Sequence, residues 1–139
     1  KAKEFSNIVQ KKIVKCEKVK GSNEFLKKNF KKINLFISTG TPEEEIIRIL
    51  KKTNIYDLFK TVLGSPNTKK QHISFILKNN NLSPKEVVFI GDSKTDYCAA
   101  KSFDMDFILR SHKFNTGLSK NFKGHKFNNF YELEQLIKI

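Results

Sequence analysis

An α/β fold built on a parallel sheet covered on both faces is what this sequence predicts, and three observations carry the expectation. Short apolar runs alternate with stretches whose apolar residues recur at helical spacing. Several apolar runs end in polar turns that contain glycine, as strands of such sheets do at their carboxyl ends. A 38% apolar content with 13 Phe supplies a core for a single domain of 139 residues.

Each element follows in order. Phe5, Val9 and Ile13 stand at steps of four with Ile8 beside them, so positions 3–17 are expected to form an amphipathic helix. Gly21-Ser22 breaks that pattern, and Ser22 caps a second short helix bearing Phe25, Leu26 and Phe30. Residues 33–37 read as a strand that stops at Ser38-Thr39-Gly40-Thr41-Pro42. There Thr41 as N-cap, Pro42 at the first helical position and Glu44 form a capping box for a helix with Ile46, Ile47 and Leu50 on one face. Tyr56, Leu58 and Phe59 are expected to pack that helix onto the sheet.

A strand at Thr61-Val62-Leu63 leads into Gly64-Ser65-Pro66-Asn67-Thr68, then a helix over 69–79 carrying Ile73, Ile76 and Leu77. After the breaks at Asn79-Asn80-Asn81 and Ser83-Pro84 come a strand over 86–90, the Gly91 turn, and a helix through Ala99 and Ala100. A strand over 105–109, a loop-rich stretch over 111–128 and a closing helix over 130–139 complete the chain. No internal repeat or low-complexity linker interrupts it.

Composition removes several classes of function. No stretch approaches ~20 uninterrupted apolar residues and no signal-type apolar core opens the chain, so it reads as cytoplasmic with no membrane partner. Cys16 and Cys98 are far apart and outside any C-x-x-C pair, which argues against a disulfide framework or a thiolate zinc site. The balance of 27 Lys+Arg against 14 Asp+Glu is strongly basic. Its excess is almost all Lys, dispersed among many Asn and Ile, without an Arg cluster, aromatic platform or helix-turn-helix pattern; no nucleic-acid partner is expected. The milder consequence is attraction of small anions. The chain opens on Lys rather than Met and in mid-pattern, which reads as a piece of a longer protein.

In parallel sheets the working residues gather on turns after the strands' carboxyl ends. Three such turns carry suitable groups: Ser38/Thr39, the 64–69 loop ending in Lys69, and Asp92 with Asp96. In the run from Val87 to Asp96, four apolar residues lead to Gly91 and then to two carboxylates four positions apart, a good holder for a hard cation such as Mg2+. A hydroxyl, an ammonium and such carboxylates suit a phosphate monoester: Thr39 and nearby N–H groups to bind phosphoryl oxygens, Lys69 to neutralise charge, Asp92 to hold the cation.

Taken in order, these motifs resemble the haloacid dehalogenase-like hydrolases, mainly phosphatases, and among them the phosphoglycolate phosphatases. The family's second motif matches the strand ending at Thr39, with Gly40 beside it and Ser38 competing for the position. Its third matches Lys69, and its fourth, Gly-Asp-x-x-x-Asp, matches Gly91 to Asp96. The resemblance covers roughly residues 20–110. It implies a Rossmann-like three-layer core over 21–139, with 1–20 as the remnant of a helical cap. It further implies catalytic roles for Thr39, Lys69 and Asp92, phosphate contacts from Ser38, Gly40 and Lys69, and Mg2+ held by Asp92 and Asp96, with a role through water or a hydrogen bond to Lys69 open as the alternative for Asp96.

One departure matters. The family's nucleophile is the first acid of an Asp-x-Asp that ends an apolar strand, and nothing upstream of Ile33 resembles it. Asp104-Met105-Asp106 precedes its apolar run and is assigned to turn and strand-start roles. The resemblance therefore implies that the sheet's central first strand is missing, that the intact parent is the phosphatase, and that this chain alone is inactive. Two other function classes stay open: a pseudoenzyme that binds phosphate or metal, and a basic nucleic-acid-binding domain. Substrate identity and oligomeric state are left open too.

His72, His112 and His125 have no zinc-ligand spacing and are expected on the surface or in packing roles. The 64–70 run lacks the second glycine of a nucleotide-binding P-loop and contains Pro66. A Gly-Asp-Ser esterase would need an Asp three residues before a His, and no such pair exists.

Overall fold

The computed structural model describes residues 4–6 and 22–137. Six strands form one parallel sheet: β1 (Glu4–Ser6), β2 (Asn34–Pro42), β3 (Thr61–Ser65), β4 (Val87–Gly91), β5 (Asp106–Arg110) and β6 (Lys126–Phe127). They are ordered β3-β2-β1-β4-β5-β6. Six helices accompany them: α1 (Ser22–Asn29), α2 (Glu43–Lys52), α3 (Lys69–Asn79), α4 (Lys94–Ser102), α5 (Thr116–Asn121) and α6 (Phe130–Ile137).

Alternation along the strands sorts the side chains onto two faces. Leu35, Ile37, Val88, Ile90 and Ile108 pack with Phe25 and Leu26 of α1, Ile46 and Leu50 of α2, and Phe130 and Leu133 of α6. On the opposite face Val87 and Phe89 meet Ile73 of α3 and Ala99 and Ala100 of α4. The two small alanines let α4 lie close to the sheet, while Phe89, fully buried, fills the space between them. Phe59 joins the first cluster with Tyr56 and Leu58 packed against it, as the sequence anticipates. This is the three-layer α/β core, and because every strand is parallel, all carboxyl ends share one edge.

Two expectations are corrected. The sheet's centre is neither missing nor closed up: Glu4–Ser6 lies between β2 and β4, pairing Glu4 and Phe5 with Asn34 and Leu35 on one side and Glu4 to Ser6 with Val87 to Phe89 on the other. A gap there would leave two facing ladders of N–H and C=O groups unpaired, and that demand outweighs the helical spacing of Phe5, Val9 and Ile13. The rest of the helix expected over 3–17, and most of the cap remnant over 1–20, lies outside the described residues.

The second correction concerns the start of α2. Thr41 does not cap it; Pro42 occupies the N-cap without a side-chain bond. β2 instead continues through the expected turn to Pro42, with a register shift against β3 between Ser38 and Pro42. The loop-rich stretch likewise holds one short helix and one short strand, α5 and β6.

Candidate functional site

The carboxyl edge gathers the residues that the sequence singles out. Lys69 opens α3, one residue after Thr68, whose hydroxyl accepts from the Gln71 N–H while the Gln71 side chain accepts from the Thr68 N–H. Asp96 lies in the first turn of α4, where Ser93 and Asp96 form the same reciprocal cap. Two capped helix starts thus face each other, and the Lys69 ammonium pairs with Asp96 Oδ1.

The other oxygen of Asp96, Oδ2, accepts the N–H groups of Asp92 and Ser93 at 3.2 and 3.3 Å. Asp96 is fully buried and both of its oxygens are engaged. Gly91 explains the spacing of the motif: a Cβ there would overlap the Asp96 carboxylate, so only glycine lets the side chain fold back under the β4 turn. Asp96 therefore organises the turn that presents Asp92 and orients Lys69.

Asp92 is half-buried in the same turn. Its Oδ2 accepts from His112 Nε2 at 3.1 Å. Asn115 Nδ2 donates to the Asp92 carbonyl at 3.0 Å and to that of Arg110 at 2.8 Å. Burial holds the Arg110 guanidinium below its ordinary pKa, opposed by the charge of Asp92. Arg110 Nε has no hydrogen-bond partner among the described residues.

On the other side of β1 a second set of bonds ties strand ends together. His72 of α3 is buried; its Nδ1 lies 2.6 Å from Ser38 Oγ and its Nε2 2.9 Å from the Gly64 carbonyl. A carbonyl only accepts, so Nε2 carries the proton and Nδ1 accepts from the Ser38 hydroxyl. Burial lowers the pKa of His72 below 6.5, partly offset by the Gly64 carbonyl and by Glu43. Gly64 is held from its other side as well, its N–H donating to Glu43 Oε1 at 3.1 Å. A side chain on Gly64 would overlap the Thr41 carbonyl and the Glu43 backbone.

Thr39 follows Ser38 near the end of β2, buried, with Oγ1 accepting from the Thr41 N–H at 3.2 Å. Gly40 is exposed beside it. Hence Ser38 donates inward to His72, while Thr39 Oγ1 keeps its proton for another acceptor. Lys69, Asp96 and the Asp92 turn form one connected group, and Ser38, His72 and Gly64 form another. Helix α3 joins them by carrying both Lys69 and His72. Beside Lys69 a cavity of about 510 Å³ opens, lined by Lys70, Lys94, Thr95 and Cys98 among others.

Sequence reasoning placed three histidines in surface or packing roles. His125 is exposed, but His72 and His112 both bond to the two groups just described, and Asn115 and Arg110 were missed with them. One signal was legible: Ser111 and His112 directly follow β5, a fourth strand end on the same edge. Asp104 and Asp106 keep their turn and strand-start places, both exposed, with Asp104 at φ 56°.

No cluster of three or more His, Cys, Asp or Glu suited to a metal occurs among the described residues. Asp96 is occupied by Lys69 and two N–H groups, whereas Asp92 Oδ1 takes part in none of the hydrogen bonds described above. One carboxylate oxygen at a strand end fits the mode in which Mg2+ takes one or two carboxylates and completes its shell with water and substrate phosphate.

Comparison with known proteins agrees with this geometry. The family model described as haloacid dehalogenase-like hydrolase matches residues 1–110. A phosphoglycolate phosphatase of Colwellia psychrerythraea is 33% identical over 106 residues, covering 71% of this chain and 47% of that protein. The solved core domain of a candidate phosphoglycolate phosphatase from Streptococcus pneumoniae superposes with a TM-score of 0.74 at 16% identity, covering 99% of this chain and 96% of that one. A candidate hydrolase of the same superfamily from Bacillus subtilis, bound to magnesium, gives a TM-score of 0.74 at 17% identity, covering 86% of this chain and 55% of that one. The chain spans about half the length or less of the curated relatives it matches. Motif order, the parallel sheet with its shared carboxyl edge, and the family match converge: this chain belongs to the haloacid dehalogenase-like hydrolases.

Proposed function

We propose that this chain is the phosphate- and cation-binding part of a Mg2+-dependent phosphatase that hydrolyses small phosphate monoesters, of the phosphoglycolate phosphatase kind, through an aspartyl-phosphate in the intact parent. The observation that carries the reading is the connected group of Lys69, Asp96 and the Asp92 turn, set at the strand edge where Thr39 stands. Thr39 Oγ1 and the N–H groups following it bind phosphoryl oxygens, and Lys69, oriented by Asp96, neutralises the charge that builds on them. Asp92 Oδ1 is the cation ligand. Bound there, Mg2+ supplies charge neutralisation for the phosphoryl group.

The attacking carboxylate is the missing part. The first aspartate of the sequence is Asp57, so neither β1 nor the residues between it and β2 contain one. The chain alone is therefore inactive in this reading. Phosphate release from p-nitrophenyl phosphate with Mg2+ tests it: turnover at background level is expected, and robust turnover by the 139-residue chain overturns the assignment of inactivity.

The same absence favours a second reading, a pseudoenzyme that binds phosphate and cation without chemistry. The coding sequence upstream of Lys1 separates the two. An apolar strand ending in Asp-x-Asp supports the phosphatase; an upstream extension without it supports the pseudoenzyme.

A further inference from the structure

The loop after β5 contains a set of bonds on the carboxyl edge that the family motifs do not account for. Its residues close around Asp92. The Phe114 N–H donates to His112 Nδ1 at 3.1 Å, which leaves the imidazole proton on Nε2, the atom 3.1 Å from Asp92 Oδ2. The ring's own backbone is fixed too, because the His112 N–H donates to Asn115 Oδ1 at 2.8 Å. Asn115 then returns its Nδ2 to the carbonyls of Asp92 and Arg110. Backbone and side chain of Asp92 are thus both held by a single five-residue loop.

From this the geometry points to His112 as a positioning residue for the cation ligand: by occupying Oδ2 it fixes the Asp92 carboxylate so that Oδ1 alone faces the cation. A carboxylate free to rotate would pay the cost of ordering when the cation binds, and hydrogen-bonded partners of metal ligands remove that cost. His112 itself does not touch substrate. The inference rests on the reading of Asp92 as the cation ligand, and it goes further by assigning the loop of residues 111–115 the task of aiming it.

The test uses Mn2+ alone as probe and the full chain, read by paramagnetic broadening of the amide signals of Gly91, Asp92 and Ser93 at one fixed pH. In the unaltered chain, broadening localised to these amides is expected, and Asp92→Asn abolishes it. His112→Ala is expected to weaken the apparent Mn2+ affinity by about tenfold or more. His112→Gln, whose amide nitrogen donates to Oδ2, is expected to restore most of it. Amide spectra of both variants outside the loop report that the fold is intact, and the glutamine variant keeps the question answerable if the alanine variant unfolds. Unchanged or tighter Mn2+ binding in His112→Ala, or no rescue by glutamine, overturns the positioning role while leaving the Asp92 assignment in place. Absence of broadening near Asp92 in the unaltered chain overturns both.

Discussion

Two imidazoles each bridge a strand end to another part of the fold, His72 on the β2 and β3 side of the sheet and His112 on the β4 and β5 side, and their surroundings differ. His72 is buried on α3, with both nitrogens used by Ser38 and Gly64. His112 is half-buried on a loop, with one nitrogen used by its own loop and the other by Asp92, a carboxylate that still faces solvent. A hydrogen bond removed from the first place leaves polar groups with no water to replace it, whereas at the second water can substitute. The difference separates a half of the edge whose bonds are closed to solvent from a half whose carboxylate stays within reach of water.

The sharpest way to break this comparison is on helix α3, which joins the two halves. Lys69→Met leaves the Asp96 carboxylate buried without its cation, and a loss on the order of 3 kcal/mol is expected, read as a lowered urea midpoint. A loss below about 1 kcal/mol would mean that the two N–H groups of the Asp92 turn suffice for Asp96.

Next in size is His72→Ala. It empties a packed position and orphans the Ser38 hydroxyl and the Gly64 carbonyl, so about 2–4 kcal/mol is expected from the same measurement. The matching change on the other side, His112→Ala, is expected to cost less than about 1.5 kcal/mol, because solvent reaches its partner. Equal costs would erase the distinction between the halves.

The pH dependence of stability sharpens the same point. Burial holds the folded-state pKa of His72 below 6.5, so the unfolded chain binds the proton first. Stability due to this group is complete above pH 6.5 and is lost as pH falls from there toward the lower folded value. The thermal midpoint should decline over that window in the unaltered chain and decline less in His72→Gln, which has no proton to take up. Parallel slopes in the two proteins would contradict the assignment.

Smallest in stability is Asp92→Asn, expected to shift the unfolding free energy by less than about 1 kcal/mol while removing the carboxylate proposed to hold the cation. A large destabilisation would mark Asp92 as scaffold rather than ligand.

Much of the fold was legible from local pattern. The helix over Lys69–Asn79 begins and ends where Ser65-Pro66 and Asn79-Asn80-Asn81 punctuate it, and the strand over Val87–Gly91 ends at the glycine that Asp96 requires. Thr39, Lys69, Asp92 and Asp96 were legible because each sits at a fixed offset from a strand end or helix start. The same local reading failed at residues 4–6 and at Thr41. In both places a neighbouring strand decided the outcome, through ladder pairing with β2 and β4 in one case and continued pairing with β3 in the other.

By itself, then, the sequence determined most element types, the parallel sheet, the polar residues that follow the apolar runs of β2 and β4, and the start of α3, since spacing along a chain is enough to specify these. Tertiary structure alone decided that Asp96, among the roles open to it, pairs with Lys69, that Ser38 turns inward to His72, and that His112 meets Asp92 from 20 residues away. Those pairings depend on which strands lie side by side and which loops fold over the edge. Hydrogen bonds form between groups that are close in space, and no spacing within one segment encodes the distance to another.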